Sequence, residues 1–298
     1  MRIPNFSISD SLVSRLQKLT ASQANLQAQV SSGQRITVAS DDPAAMSRVL
    51  DFQAEKQHIQ QWARNGDRAL GVSQASFSAV KQLKGISDRA GEIAVLGVGV
   101  TGADAYHAYS TETDALLEQA LQVANTQHAG ESLFGGTQTN TPPFTATRDA
   151  AGHITGVTYT GTATAAQFQV SEAATISPQT DGATNQKFAG FLNHLVSLRD
   201  ALQTQSSSGV QTAQTGLHSS ETDLLVTISD IGATQTRLES SKGLNESRFT
   251  DLQQLTSNET DVDLAQTVVK LTQAQTAYQA ALQSGAQLLQ HSLLDYLR

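Results

Sequence analysis

From Leu12 the apolar positions advance in alternating steps of four and three: Leu12, Leu16, Leu19, a polar Gln23, then Leu26 and Val30. That alternation keeps one narrow stripe turned toward a partner helix. It predicts an amphipathic helix closing near Ser31-Ser32-Gly33, where glycine can take the left-handed conformation that ends helices. A restart lies in SSGQRITVASDDPAAMSR. Asp42 can accept from the first free backbone amides, and Pro43 falls at the first helical position, where no donor is missed. The second helix is long. It carries Ala45, Val49, Phe52, Ile59, Ala63, Leu70, Phe77 and Val80 in one phase, then Leu83, Ile86, Ala90 and Ile93 in a shifted one. The glycine-rich LGVGVTGAD (Leu96 to Asp104) breaks it, and a third helix follows with Tyr106, Tyr109, Leu116, Ala120 and Val123 on one face.

Beyond Gly130 the pattern changes. SLFGGTQTNTPPF brings paired glycines, Gly135 and Gly136, that suit a turn. The roughly 45 residues after it are rich in Thr, Ala and Gly, with strand-like alternation at Ile154, Val157 and Tyr159 and at Phe168 and Val170. Helical spacing returns at Phe188, Phe191, Leu192, Leu195 and Leu202, pauses at Ser206-Ser207-Ser208-Gly209, and resumes at Leu224, Ile228, Ile231, Gln235, Leu238, Phe249 and Leu252. A last helix opens at Asp261 or Asp263. It keeps the four-three rhythm through Leu264, Val268, Leu271, Gln275, Tyr278, Leu282, Gly285 and Leu289, and closes on Leu293, Leu294, Tyr296 and Leu297.

This order predicts a mainly α chain: an elongated rod of long antiparallel coiled-coil helices with the N- and C-termini together, plus a small β-containing mid-chain domain. At ~1.5 Å per residue a ~45-residue helix reaches ~65 Å. The expected divisions are an N-terminal helix (1–42), helical rod (43–136), variable β-containing domain (137–186), returning rod (187–260) and C-terminal helix (261–298). For the middle helices the apolar stripes are the interior of a bundle. The terminal stripes are narrower, and two such helices alone bury too little to offset a backbone ordering cost of ~1–2 kcal/mol per residue. Leu12, Leu16, Leu19, Leu26 and Val30, with Leu264, Val268, Leu271, Tyr278, Leu282 and Leu289, are therefore expected to pack between molecules. On this reading both ends order fully only on assembly.

Charge and chemistry narrow the function classes. Only 15% of the 298 residues are charged, against ~25% in an average globular protein, and the polar remainder is heavily Gln, Ser and Thr. The net charge of -8 with no Lys/Arg cluster argues against nucleic acid. With no cysteine, disulfides, thiol catalysis and thiolate metal sites are excluded. No cleavable leader and no 18-residue apolar run is expected, hence no membrane partner. The seven histidines (58, 107, 128, 153, 194, 218 and 291) fall in no ligand spacing. Asp41-Asp42 before Pro43 reads as a cap. Asp261-Val262-Asp263 lacks the glycine and closing glutamate of a calcium loop. No catalytic constellation and no cofactor are implied.

Three segments carry a family resemblance: SSGQRITVASDDPAAM, SDIGATQTRLES at Ser229 to Ser240, and DVDLAQTVVKLTQAQTAYQAALQ at Asp261 to Gln283. Together they resemble the flagellin superfamily. Asp42-Pro43, SLFGGTQTNTPPF and the SLLDYLR ending are more similar to its hook-filament junction members than to filament flagellins. The resemblance implies a non-enzymatic subunit, exported through the flagellar type III apparatus without a cleaved signal and placed outside the cell at the junction. The partners it implies are further copies in a ring, the other hook-associated junction protein, flagellin and, as a further candidate, the filament cap. It also implies a cytosolic export chaperone on the C-terminal helix. A short divergent flagellin and a non-flagellar coiled-coil scaffold are the alternatives.

Overall fold

The computed structural model describes residues 5–99 and 102–296, with side chains described within 10–99 and 102–287. Leu289, Leu293, Leu294, Tyr296 and Leu297 thus lie outside the residues whose side chains are described. Six helices dominate: α1 (Asn5–Ser32), α2 (Pro43–Gly99), α3 (Ala103–Ala124), α4 (Gly182–Gln203), α5 (Ser207–Thr260) and α6 (Leu264–Tyr296). Between α3 and α4 lie three two-stranded antiparallel sheets: β1 (Gln127–His128) with β2 (Glu131–Ser132), β3 (Phe144–Arg148) with β4 (Ile154–Tyr159), and β5 (Phe168–Gln169) with β6 (Thr175–Ile176).

The chain divides into two compact units. One joins Met1–Gln57 to Phe249–Arg298, and the other is His58–Arg248. Residues 137–186 lie inside the second unit. In that unit α3 packs along α4, and the β3–β4 hairpin lies on α4. Phe144 pairs across the hairpin with Tyr159, and Ala146 with Val157. Period-two alternation turns Phe144 inward, and Ile154 and Val157 are buried with it. Their core continues through Phe188, Phe191, Leu192 and Leu195 of α4 to Leu83 and Ile93 of α2 and Leu224 and Ile231 of α5.

Polar groups stitch the insert to the helices. Asn193 of α4 accepts from the Val157 amide at 2.9 Å and donates to the Val157 carbonyl at 2.8 Å, as a further strand would. Buried Asn185 donates to the Phe134 carbonyl at 2.9 Å. Gly135 and Gly136 form a tight turn beside it. Gly136 has φ +66, and a Cβ there would sit 2.8 Å from the Thr164 carbonyl oxygen, while one on Gly135 would collide with the Gln138 carbonyl. α5 starts where Ser206 Oγ accepts from the Gly209 amide at 3.1 Å, the capping bond that lets a Ser-rich pause restart a helix.

Within the second unit α2 and α5 run antiparallel, as Lys84–Glu221 at 3.5 Å and Asp67–Lys242 at 2.8 Å show. No described helix is long and apolar enough to cross a membrane.

Candidate assembly surface

In the unit that joins the two chain ends, α1 packs against α6. The pairing is antiparallel. Gly33, at the end of α1, accepts from the Val262 amide at 3.0 Å, and Gln34 bridges Asp261. Farther along the pair, Leu12 lies against Gly285, where an added Cβ would be 2.6 Å from Leu12 Cδ2. α6 opens where Asp263 Oδ1 accepts from the Gln266 amide at 3.0 Å.

On α1 the half-buried positions are Leu12, Leu16, Leu19, Gln23, Leu26 and Val30, in the four-three order, with Gln29 beside the last. On α6 the covered positions are Thr267, Leu271, Ala274, Tyr278, Ala281 and Gly285. Leu271 and Tyr278 thus lie in the seam, but its alternate positions are Thr and Ala rather than Val268, Gln275 and Leu282. Small side chains let two helices approach, and Gly285 makes room for the Leu12 tip. Hydrophobicity alone hides such positions, because Thr, Ala and Gly carry little apolar area.

A second stripe results. Leu264 is 50% exposed, Val268 45% and Leu282 45%, and Val269 beside them 56%. The spacing 264, 268, 275, 282 follows the same rhythm one residue later on the helix, so α6 carries two adjacent stripes. The inner one is occupied by α1 of the same chain. The outer one stays about half exposed among the described residues. Scattered exposed apolar residues are ordinary, whereas an aligned row marks an interaction surface.

A polar collar joins this pair to the start of α2 and the end of α5. Gly33, at φ +72, turns the chain off α1. The Asp41 carboxylate accepts from the Thr37 and Val38 amides at 3.0 and 3.1 Å, and those bonds hold its pKa below the ordinary carboxylate range. Asp42 Oδ1 accepts from the Ala45 amide at 3.0 Å, with Pro43 between them at the first position of α2. That amide is the first cause of the lowered Asp42 pKa, and Arg35 at 3.3 Å adds to it. Across the collar Arg48 grips Glu259 with two bonds of 2.9 and 2.8 Å, lowering the Glu259 pKa and raising its own. Arg35 donates to the Thr260 and Glu259 carbonyls at 2.7 and 2.8 Å, closing the end of α5. Ile36, Ala45, Val49 and Leu252 of the same unit are buried. Lys56 stands over the Phe249 ring at 5.4 Å.

Residues 3–139 match the family described as the bacterial flagellin N-terminal helical region. The N-terminal arm is a flagellin arm. It runs from α1 through the collar and α2 to the Gly135–Gly136 turn. Beyond the flagellin arm, the whole chain aligns with flagellar hook-associated protein 3 of Salmonella typhimurium, at 23% identity over 317 residues covering 100% of both chains. Among solved structures, Bacillus cereus FlgL superposes with a TM-score of 0.60 at 17% identity, over 70% of this chain and 99% of that one. The flagellar junction protein FlgL from Legionella pneumophila gives 0.52 at 14%, over 72% and 100%. At such identities the two structures establish a shared fold.

The sequence missed part of the collar. Arg48 and Glu259 are 211 residues apart, and nothing local to either announces the other. What was visible was Asp42-Pro43, because a cap and its helix are neighbours in the chain.

Proposed function

We propose that the chain is a structural, non-enzymatic subunit of the bacterial flagellum that joins hook to filament, assembling side by side with further copies in a ring. The observation that carries the reading is a flagellin N-terminal arm in a chain aligned end to end with a hook-associated protein. The two stripes of α6 supply the mechanism. The inner stripe holds α1 by way of Leu271 and Tyr278 against Leu12, Leu16, Leu19, Leu26 and Val30. The outer stripe of Leu264, Val268 and Leu282 docks helices of adjacent copies. Covering the exposed half of such a Leu or Val is worth about half of the ~1.5–3 kcal/mol of full burial, so a row of them repeated around a ring holds subunits under torque.

The neighbours on either side are the other hook-associated junction protein and flagellin, with the filament cap as a further partner during assembly. Export runs through the flagellar type III route without signal cleavage. An apolar row such as the outer α6 stripe needs shielding before assembly, and a cytosolic chaperone covering Leu264 to Leu289 provides it.

Electron microscopy of a deletion strain tests the assignment. Hooks without filaments, with flagellin released into the medium, are expected. Hooks that still carry filaments made of another flagellin would reject it, and loss of the filament's own major subunit would make the chain a filament flagellin instead.

A further inference from the structure

The 58–248 unit contains a cup of about 480 Å³ between the loop before α4 and one face of α5, lined by Thr164, Gln179, Asp181, Thr227 and Asp230 among others. Its walls hold two carboxylates from different elements and no Lys, Arg or His. Asp181 is partly committed, since Oδ1 accepts from the Thr184 amide at 2.8 Å to cap α4. The Asp230 carboxylate meets no partner among the described residues. Gln179 Oε1 is buried with no hydrogen bond. Four of the hydroxyls that line it spend their protons elsewhere. Ser177 donates to the Gln179 carbonyl, Thr180 to Asn185 Oδ1, Thr227 to the Asp223 carbonyl and Thr234 to the Asp230 carbonyl. Two carboxylates with no cation among the lining residues make the cup anionic and rich in acceptors, and such a lining suits an occupant that donates. An ammonium group, with three donors and no acceptor, is that occupant.

One lysine of this unit is free to supply it. Of the four at 81, 84, 187 and 242, Lys84 holds Asp88 and Glu221, Lys187 holds Asp223 and Lys242 holds Asp67. Lys81 is exposed and has no partner among the described residues. It does not line its own chain's cup. The antiparallel pairing of α2 with α5, anchored at 84 with 221 and at 67 with 242, sets Lys81 level with about residue 225. Asp230 is then only ~8 Å farther along the axes at ~1.5 Å per residue. A peg and a socket at nearly one height suit copies standing side by side.

We propose that Lys81 of one copy inserts its ammonium into the Asp181–Gln179–Asp230 cup of its neighbour. The inference rests on the reading that copies assemble laterally, and the test separates the two. The chain has no cysteine, so differently tagged Lys81→Cys and Asp230→Cys chains can be co-produced in the deletion strain. Isolated flagella are then treated with a short bis-maleimide, because a Lys–Asp pair can space its Cα atoms beyond the ~7 Å that a disulfide spans. A mixed-tag dimer that neither single variant forms alone is the expected result. Paired charge reversal, Lys81→Asp with Asp230→Lys, should regain the incorporation that either reversal alone loses. Both tagged chains present in the flagella with no mixed dimer would overturn the contact and leave the assembly reading standing. Neither chain incorporated, although circular dichroism finds both folded, would overturn assembly and contact together. Calcium binding to the purified wild-type chain that Asp230→Asn abolishes would give the cup to a metal ion instead and also overturn the contact.

Discussion

A methyl group at position 285 would stand 2.6 Å from the tip of Leu12, so the packing of α1 on α6 at that point depends on the lack of one carbon. Leu12 can yield to Gly285→Ala by changing rotamer, but a branched side chain there leaves it nowhere to go, and overpacking of this kind costs ~1–3 kcal/mol. Gly285→Val should release α1 from α6, seen as early proteolytic cleavage within α1, and Leu12→Ala should restore protection in the double variant. At the Gly135–Gly136 turn the obstacle is backbone, which cannot rotate away. Gly136→Ala combines a positive φ with a Cβ 2.8 Å from the Thr164 carbonyl oxygen, and strain of this kind costs ~1–3 kcal/mol. A clear fall in the melting temperature of the 58–248 unit is expected, with α1–α6 protection unchanged. The turn at Gly135-Gly136 and the cap at Asp42-Pro43 are readable from sequence because the residues that need each other are neighbours. The grip of Arg48 on Glu259 is not, because chain folding alone brings them together.

Helix limits were legible for the same local reason: Gly33 ends α1, Asp263 opens α6 and Ser206 opens α5. The phase of α6 was not. A reading weighted toward large apolar side chains places Val268 and Leu282 in the seam, whereas the structure fills it with Thr267, Ala274 and Ala281 and leaves the larger residues outside. Strand β3 was equally obscure, since Phe144 and Ala146 alone carry its inward face. Two element-scale outcomes follow. Leu271→Asp buries a charge in the seam and should separate α1 from α6 in the monomer, whereas Leu282→Asp changes an exposed position and should leave monomer helicity and proteolytic protection as in the wild type. The collar should weaken on acidification. Asp41, Asp42 and Glu259 have folded pKa values below their ordinary ones. Their contribution is full above the ordinary carboxylate range and disappears as pH falls through the depressed values. Amide protection at Val38 and Ala45, corrected for intrinsic exchange rates, should fall over that acid window. Asp41→Asn should remove much of the Val38 dependence.

At the scale of the molecule, the chain answers the problem of narrow terminal helices in two steps. The expectation that both ends lack partners in a single copy meets a structure in which α1 and α6 partner each other within the chain, by small residues along one stripe. The larger residues of α6 stay uncovered for a neighbour. The account then predicts that folding of the chain and its assembly are separable by mutation. The most direct measurement is electron microscopy of a deletion strain complemented with the triple variant Leu264→Asp, Val268→Asp, Leu282→Asp, beside circular dichroism of the same purified chain. Bare hooks, flagellin in the medium and wild-type helicity are the predicted result. Filaments attached as often as in the wild type would contradict it.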